Sequence, residues 1–336
     1  MASTLVRPRP LVRLALLLPL ALGACHGPMA GAQDTVALTV RREAAAADPR
    51  AGGPLEALAR LELTGADARL GGFSSVLRIE RGERLLLATD RGWLLDAAPV
   101  FATDGGLADL VDARLHRFPL PRGWSDDVES MAIVGGRLMI GTEGRRQVAD
   151  RLIWLDGPLR APTGVADDLV VTGLGLAPNR GFEALASLPG DGWLGVAETR
   201  IDGTFPALGH DGRRWRYRAA ADHAPTGADR FGDRLFFVER ALGVIGGWQA
   251  RIACLEVAEL AAGEVLEPRT LARLGVGDRI DNMEGIAVWA NGPDLEFLLV
   301  SDDNFHPAQR SLLLHYRWPG GASGGCGPGP HEEPER

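Results

Sequence analysis

Lysine is missing from this 336-residue chain, so all 36 of its basic side chains are arginine. That bias fits a GC-rich coding sequence and is not read as a functional signal. Cysteine occurs three times, at Cys25, Cys254 and Cys326. So few cysteines argue against a disulfide framework, and the fold is expected to rest on its apolar core. Metalloprotease HExxH, P-loop and Rossmann glycine fingerprints are absent, which removes three common chemistries. Acids outnumber bases, 44 to 36, for a net charge of −8, and that disfavours nucleic acid or an anionic membrane surface as partner. Long helical periodicity is absent as well.

The first residues form a targeting segment. Arg7, Arg9 and Arg13 precede an apolar stretch, Leu14 to Leu22, too short to span a bilayer permanently. Leu22-Gly23-Ala24-Cys25 has the form of a lipobox, in which Cys25 is lipidated. Ala30-Gly31-Ala32 offers a second cleavage site, before Gln33. Both readings export the chain, to the periplasm or as an outer-membrane lipoprotein. The expected organisation is a signal over 1–25, a linker over 26–34, a folded domain over 35–319 and a disordered tail over 320–336. A monomer is expected, touching membrane only through an N-terminal lipid.

What the chain does contain is repetition. Apolar runs end on a carboxylate or an acid–arginine pair at Asp90-Arg91, Glu143, Glu198, Glu239-Arg240 and Asp302. Most are preceded by a second run that opens on an acid or hydroxyl: Ser74-Ser75, Glu129, Glu183 and Glu284. With 44 Gly and 22 Pro, tight turns are plentiful. Such turns, Gly135-Gly136 and Asn291-Gly292 among them, join the runs as antiparallel hairpins. Repeated units of strands without helices predict an all-β fold, a single β-propeller. Five clear units plus the N-terminal stretch Thr35–Leu63 favour six blades, with five and seven open. That N-terminal strand is also a candidate to complete the last blade and close the ring.

Matching positions of propeller blades converge on one axis, so the repeated acids are expected around a single opening. Asp90, Glu129, Glu143, Glu198, Glu239, Asp281 and Asn282 are the candidate metal ligands. An oxygen-only set suits Ca²⁺, with Mg²⁺ second, and little His or Cys lies nearby to favour zinc. Glu183, Glu284, Asp302 and His306 are the candidate acid–base residues. Arg91, Arg180 and Arg240 are placed to orient an anionic group by guanidinium forks; Arg145, Arg200, Arg279 and Arg310 share the pattern. Each acid alone has a plainer explanation, a solvated strand end, and each Arg a plainer one in pairing with its neighbouring acid. Gly321-Ala322-Ser323-Gly324-Gly325 matches G-x-S-x-G, but it lies in a Gly/Pro tail instead of a strand–helix turn. Ser74 or Ser75 is a nucleophile only with a base across the opening.

Together these residues resemble the bacterial phytase-like family with "esterase-like activity of phytase". The matching segments are GGFSS with ATDRGW, DVESMA, NRGFEALA, VER with GGWQARI, DNMEGIAV, LLVSDDNF and QRSLLLHY. They run from about Gly71 to Trp318. The resemblance implies a propeller-like β fold in an exported protein and hydrolysis of phosphoesters or other esters. Calcium-dependent β-propeller phytases are similar in carboxylate-rich chemistry, though no catalytic residue is carried over from them. A metal-assisted hydrolase of small anionic esters is the leading expectation. A non-catalytic envelope-binding propeller with structural Ca²⁺ and a lactonase-like hydrolase are the alternatives.

Overall fold

The structure is a computed structural model that describes residues 34–43, 53–144, 148–177, 180–243 and 247–327. The expected export signal, most of the expected linker, Arg145, Asn179 and residues 328–336 lie outside the described residues. Within them the chain forms five sheets of four or five strands, arranged as the blades of a propeller and antiparallel except where Val265–Leu266 pairs parallel with Arg214–Tyr217 in the third. The inner strands are Phe73–Ile79, Val128–Val134, Phe182–Leu188, Ala224–Phe231 and Asn282–Asn291. Each packs beside its two neighbours around the ring.

The ring therefore has five blades and not six. The N-terminal stretch makes no blade of its own. Its strands Thr39–Glu43 and Glu56–Thr64 add to the fifth blade, where Glu56–Thr64 pairs antiparallel with Leu312–Trp318. The C-terminal part of the chain supplies only three strands to that sheet. Borrowing the N-terminal pair completes it and joins the two ends of the domain, which covers an otherwise open edge.

Second strands such as Arg84–Thr89 and Gly192–Ala197 are buried along their whole length, because blades pack against both of their faces. This is why the sequence reads there as continuous apolar runs instead of alternation. The buried apolar residues fall into five clusters, one between each adjacent pair of blades. Close approach of the inner strands depends on glycine at two places. A Cβ on Gly227 would lie 2.6 Å from the Glu284 carbonyl oxygen, and one on Gly285 would lie 2.9 Å from Ser75 Cα.

Two expectations about the cysteines and the tail are corrected. Cys254 and Cys326 form a disulfide, with Cα atoms 5.5 Å apart. Residues 320–327 are consequently part of the fold: Cys326 is buried, its N–H donates to Glu256 Oε1, and the Ala322 N–H donates to the Pro293 carbonyl. Glycine and proline density marked this segment as unstructured, but one covalent link across 72 residues overrides that local preference.

Candidate functional site

Every inner strand carries a β-bulge at its second or third residue. The register slips between Phe73 and Ser75, Val128 and Ser130, Phe182 and Ala184, Pro225 and Gly227, and Met283 and Gly285. The extra residues are Ser74, Glu129, Glu183, Thr226 and Glu284. A bulge re-aims its side chain out of the ladder, so these five form one set around the axis. Two members latch blades together. Ser74 Oγ donates to the Val128 carbonyl at 2.6 Å and Thr226 Oγ1 to the Met283 carbonyl at 2.8 Å. The other three are glutamates.

A second set comes from the second strands. Thr89, Thr142, Ala197, Glu239 and Ser301 pair with the residue preceding each bulge. The residues that follow them, Asp90, Glu143, Glu198, Arg240 and Asp302, occupy the equivalent ring position. In three blades the same backbone bond fixes it: the N–H groups of Asp90, Glu143 and Glu198 donate to the carbonyls of Gly72, Asp127 and Gly181. The fourth blade thus contributes an arginine where the others contribute acids.

Glu239, expected among the metal ligands, is one residue out of phase and faces away from this set. It is fully buried, and its carboxylate accepts bonds from Tyr217 Oη at 2.7 Å, Arg251 Nη1 at 2.9 Å and the Ala220 N–H at 3.0 Å. A one-residue shift in a strand moves a side chain to the opposite face, which explains the displacement. Its contacts tie the third blade to the fourth, and burial beside Glu239 raises the Tyr217 phenol well above its ordinary pKa.

The acids at the mouth divide into two regions. In the second blade, ligand oxygens of Asp127, Glu129 and Glu143 lie within 4.8 Å of one another. Burial pushes the Glu129 carboxyl well up, and the neighbouring charges of Asp127, Glu143, Glu284 and Asp90 all add to the shift. Glu129 still touches solvent through the opening. Glu143 is pushed up to about 7, chiefly by burial, although its Oε1 accepts the Gly181 N–H at 2.8 Å. Asp127 opens the DVESMA segment two residues before Glu129, outside the repeat of strand-ending acids, so the repeat by itself does not mark it as a ligand.

The opposite region is organised by Arg240. Its Nη2 lies 3.1 Å from Glu284 Oε1 and 3.3 Å from Glu198 Oε1, while Arg180 Nη1 sits 2.8 Å from Glu198 Oε2. Glu284 also accepts Asn282 Nδ2 at 2.7 Å. Burial nevertheless outweighs the arginine and raises the Glu284 pKa to about 8. Glu183 is likewise raised well above the carboxylate range by burial, then by Glu129, Glu198 and Glu284. Asp302 reaches about 6 for the same first reason, and its Oδ1 accepts the Asn304 N–H at 2.6 Å. Buried Glu284 Oε2, Asn282 Oδ1 and Arg240 Nε have no hydrogen-bond partner among the described residues. Such groups are costly unless something else satisfies them.

The remaining candidates sit at the rim or in supporting roles. Arg91 is exposed, its guanidinium 3.2 Å above the Phe305 ring, and lines a cavity of about 440 Å³ with Asp90, Trp93, Arg117 and Asp126. Arg180 is exposed and lines a larger cleft, about 610 Å³, with Glu198, Thr199, Arg200 and Asp222. Asp281 holds a loop, accepting the N–H groups of Asn282 and Arg310 at 3.0 and 3.1 Å. His306 is exposed, and its Nδ1 accepts the Ala308 N–H within its own turn.

Residues 68–305 match the family described as "Phytase-like: Esterase-like activity of phytase". No curated protein matches the chain. Among solved structures, a nidogen/laminin complex aligns at 12% identity over 74% of this chain and 87% of that one, with a TM-score of 0.40. An α-L-arabinofuranosidase from Clostridium thermocellum aligns at 9% identity over 67% and 80%, with a TM-score of 0.43. A glucose dehydrogenase aligns at 10% identity over 77% and 98%, with a TM-score of 0.40. At these values the likeness says nothing about activity.

Proposed function

Since this chain belongs to the phytase-like family, we propose that it is a hydrolase of phosphomonoesters or related esters, acting at the acidic mouth of the ring. One observation carries the reading. Bulge residues and strand-end residues of four blades gather carboxyl groups of unlike protonation around the half-buried Arg240 of the remaining one. Groups whose environments hold different protonation states are what proton transfer to and from an ester needs.

Asp127, Glu129 and Glu143 suit a hard dication. They offer only carboxylate oxygens, close enough to share one ion, and a positive charge would offset both the burial and the neighbouring charges that raise Glu129. Ca²⁺ is the expected ion and Mg²⁺ the second choice. Such an ion, when bound, offsets charge on the ester oxygens and acidifies water. The chain's own residues do the rest. Glu284 is protonated at neutral pH and within the same opening, so it donates a proton to the departing alcohol oxygen. Arg240 has an Nε without a partner among the described residues to offer the anionic group, and Arg180 and Arg91 extend positive charge to the rim. Glu183, whose carboxyl burial and the neighbouring Glu129, Glu198 and Glu284 raise well above its usual range, serves as the second proton carrier.

Export accords with the Cys254–Cys326 disulfide, since such bonds persist in oxidising compartments. The test is hydrolysis of p-nitrophenyl phosphate and p-nitrophenyl acetate, in EDTA and with Ca²⁺ restored. Calcium-dependent release that is lost in Glu183→Gln and Glu284→Gln supports the reading. Absence of turnover with either ester, in protein that binds Ca²⁺, defeats it and leaves a binding propeller.

A further inference from the structure

The fourth blade differs from the others in how its second strand ends. Its counterparts stop at Thr89, Thr142, Ala197 and Asp302, at or just before the ring residue. Strand Arg234–Gly243 instead runs past Arg240, still paired with Gly247–Glu256. The rungs beyond the mouth are Arg240 with Ala250, Ala241 with Gln249, Leu242 with Trp248 and Gly243 with Gly247. A hairpin therefore stands out from the ring directly above the arginine.

Its chemistry is unlike that of the mouth beneath. Side chains alternate along a strand, and paired residues share a face. Leu242 and Trp248 accordingly continue the face that carries Arg240, the face turned toward Glu198 and Glu284. Leu242 is 65% exposed, among the most exposed large apolar residues of the described chain. Trp248 is half-buried, with the Arg240 guanidinium 5.8 Å from its ring centroid. An apolar shelf thus borders a buried charged site and shares Arg240 with it.

We infer that this shelf is a specificity subsite for an apolar group on the substrate, aromatic or aliphatic, next to the anionic or ester group. The inference rests on the hydrolase reading for the position of that group, but its contacts are separate from the proton-carrying residues. A substrate of this class is amphiphilic: its charged end meets Arg240, and its apolar end covers Leu242 and Trp248. Covering them removes exposed apolar surface from water, and an aromatic ring gains further from stacking on indole.

Binding of two non-hydrolysable probes to the full chain with Ca²⁺ tests this by calorimetry. Phenylphosphonate and methylphosphonate share one anionic group and differ in the apolar one. Phenylphosphonate is expected to bind about tenfold more tightly. That preference should fall to near one in Trp248→Ala, shrink in Leu242→Ala and return in Trp248→Phe. Equal binding of the two probes, no binding of either, or a preference untouched by Trp248→Ala overturns the inference. Retained preference with no turnover of p-nitrophenyl phosphate would support the shelf while sinking the hydrolase reading.

Discussion

Arg240 Nη2 lies 3.1 Å from Glu284 Oε1, joining a second-strand residue of the fourth blade to the bulge residue of the fifth. The contact exists because Arg240 occupies the ring position that Asp90, Glu143, Glu198 and Asp302 hold in the other blades. One cation among so many acids makes one half of the mouth nearly neutral and leaves the second-blade half anionic. Removing it should therefore affect both catalysis and folding. Arg240→Gln is expected to lower kcat/KM by about 100-fold, the scale for losing a charge-stabilising donor. It should also cost about 3 kcal/mol at pH 9, where a buried carboxylate is left uncompensated. At pH 6 the stability loss should be smaller, since Glu284 takes up a proton instead. Steady-state kinetics and urea melts at the two pH values check this.

Glu239 and Glu143 are both carboxylates in or just past second strands near the mouth, yet they should respond oppositely. Glu239→Gln breaks a buried pair with Arg251 and is expected to cost about 3 kcal/mol without weakening Ca²⁺ binding. Glu143→Gln removes a member of the second-blade trio. It should leave calcium-free stability equal or higher at pH 8 and weaken Ca²⁺ binding at least tenfold, as losing one carboxylate ligand would. Urea denaturation in EDTA and calcium titration calorimetry separate the two.

The calcium-free protein should be more stable at mildly acidic pH than at pH 8.5. Glu284 near 8, Glu143 near 7 and Asp302 near 6 all lie above their unfolded values of about 4. Between about pH 4 and 8 the folded state therefore holds more protons than the unfolded one, and stability falls as pH rises through that window. Below about pH 4 the sign reverses. Glu296 is held down to about 2, burial being outweighed by hydrogen bonds from His315 and Asn291, so its contribution is lost as acid protonates it. A Tm profile in EDTA should peak near pH 4, and saturating Ca²⁺ should flatten its neutral limb. A Tm that climbs steadily from pH 5 to 8.5 in EDTA would contradict the buried acid cluster.

The link between Cys254 and Cys326 should be measurable as stability. Closing a loop of this length constrains the unfolded chain by up to about 4 kcal/mol. Cys326→Ser should lower the urea midpoint with little change in turnover, because both cysteines lie away from the mouth acids. Thiol titration of the unreduced, denatured protein should find neither cysteine reactive.

Much of the architecture was legible along the chain. Runs such as LLLAT and LMIGT announce strands buried on both faces, and their recurrence announces blades. The acids at their ends were legible too, but the phase of one was not. LLLATD and LFFVER align so that Asp90 falls on Arg240, leaving Glu239 beside Thr89. Residue type repeats at Asp90 and Glu239, whereas the ladder register equates Asp90 with Arg240. His306 shows the complementary limit: its type suggested proton transfer, but the turn it caps determines what it touches.

The sequence alone determined an all-β ring with acids and hydroxyls at matching strand ends, because local periodicity and turn chemistry act over a few residues. Only the tertiary structure decided that five blades close the ring, that the N-terminal strands complete the last of them, and that Cys326 returns to Cys254. It also decided that Arg240 sits where a fifth acid was expected. Each of these depends on contacts between residues far apart in the chain, where one step of register or one extra strand changes which side chain meets which. No local pattern carries that information.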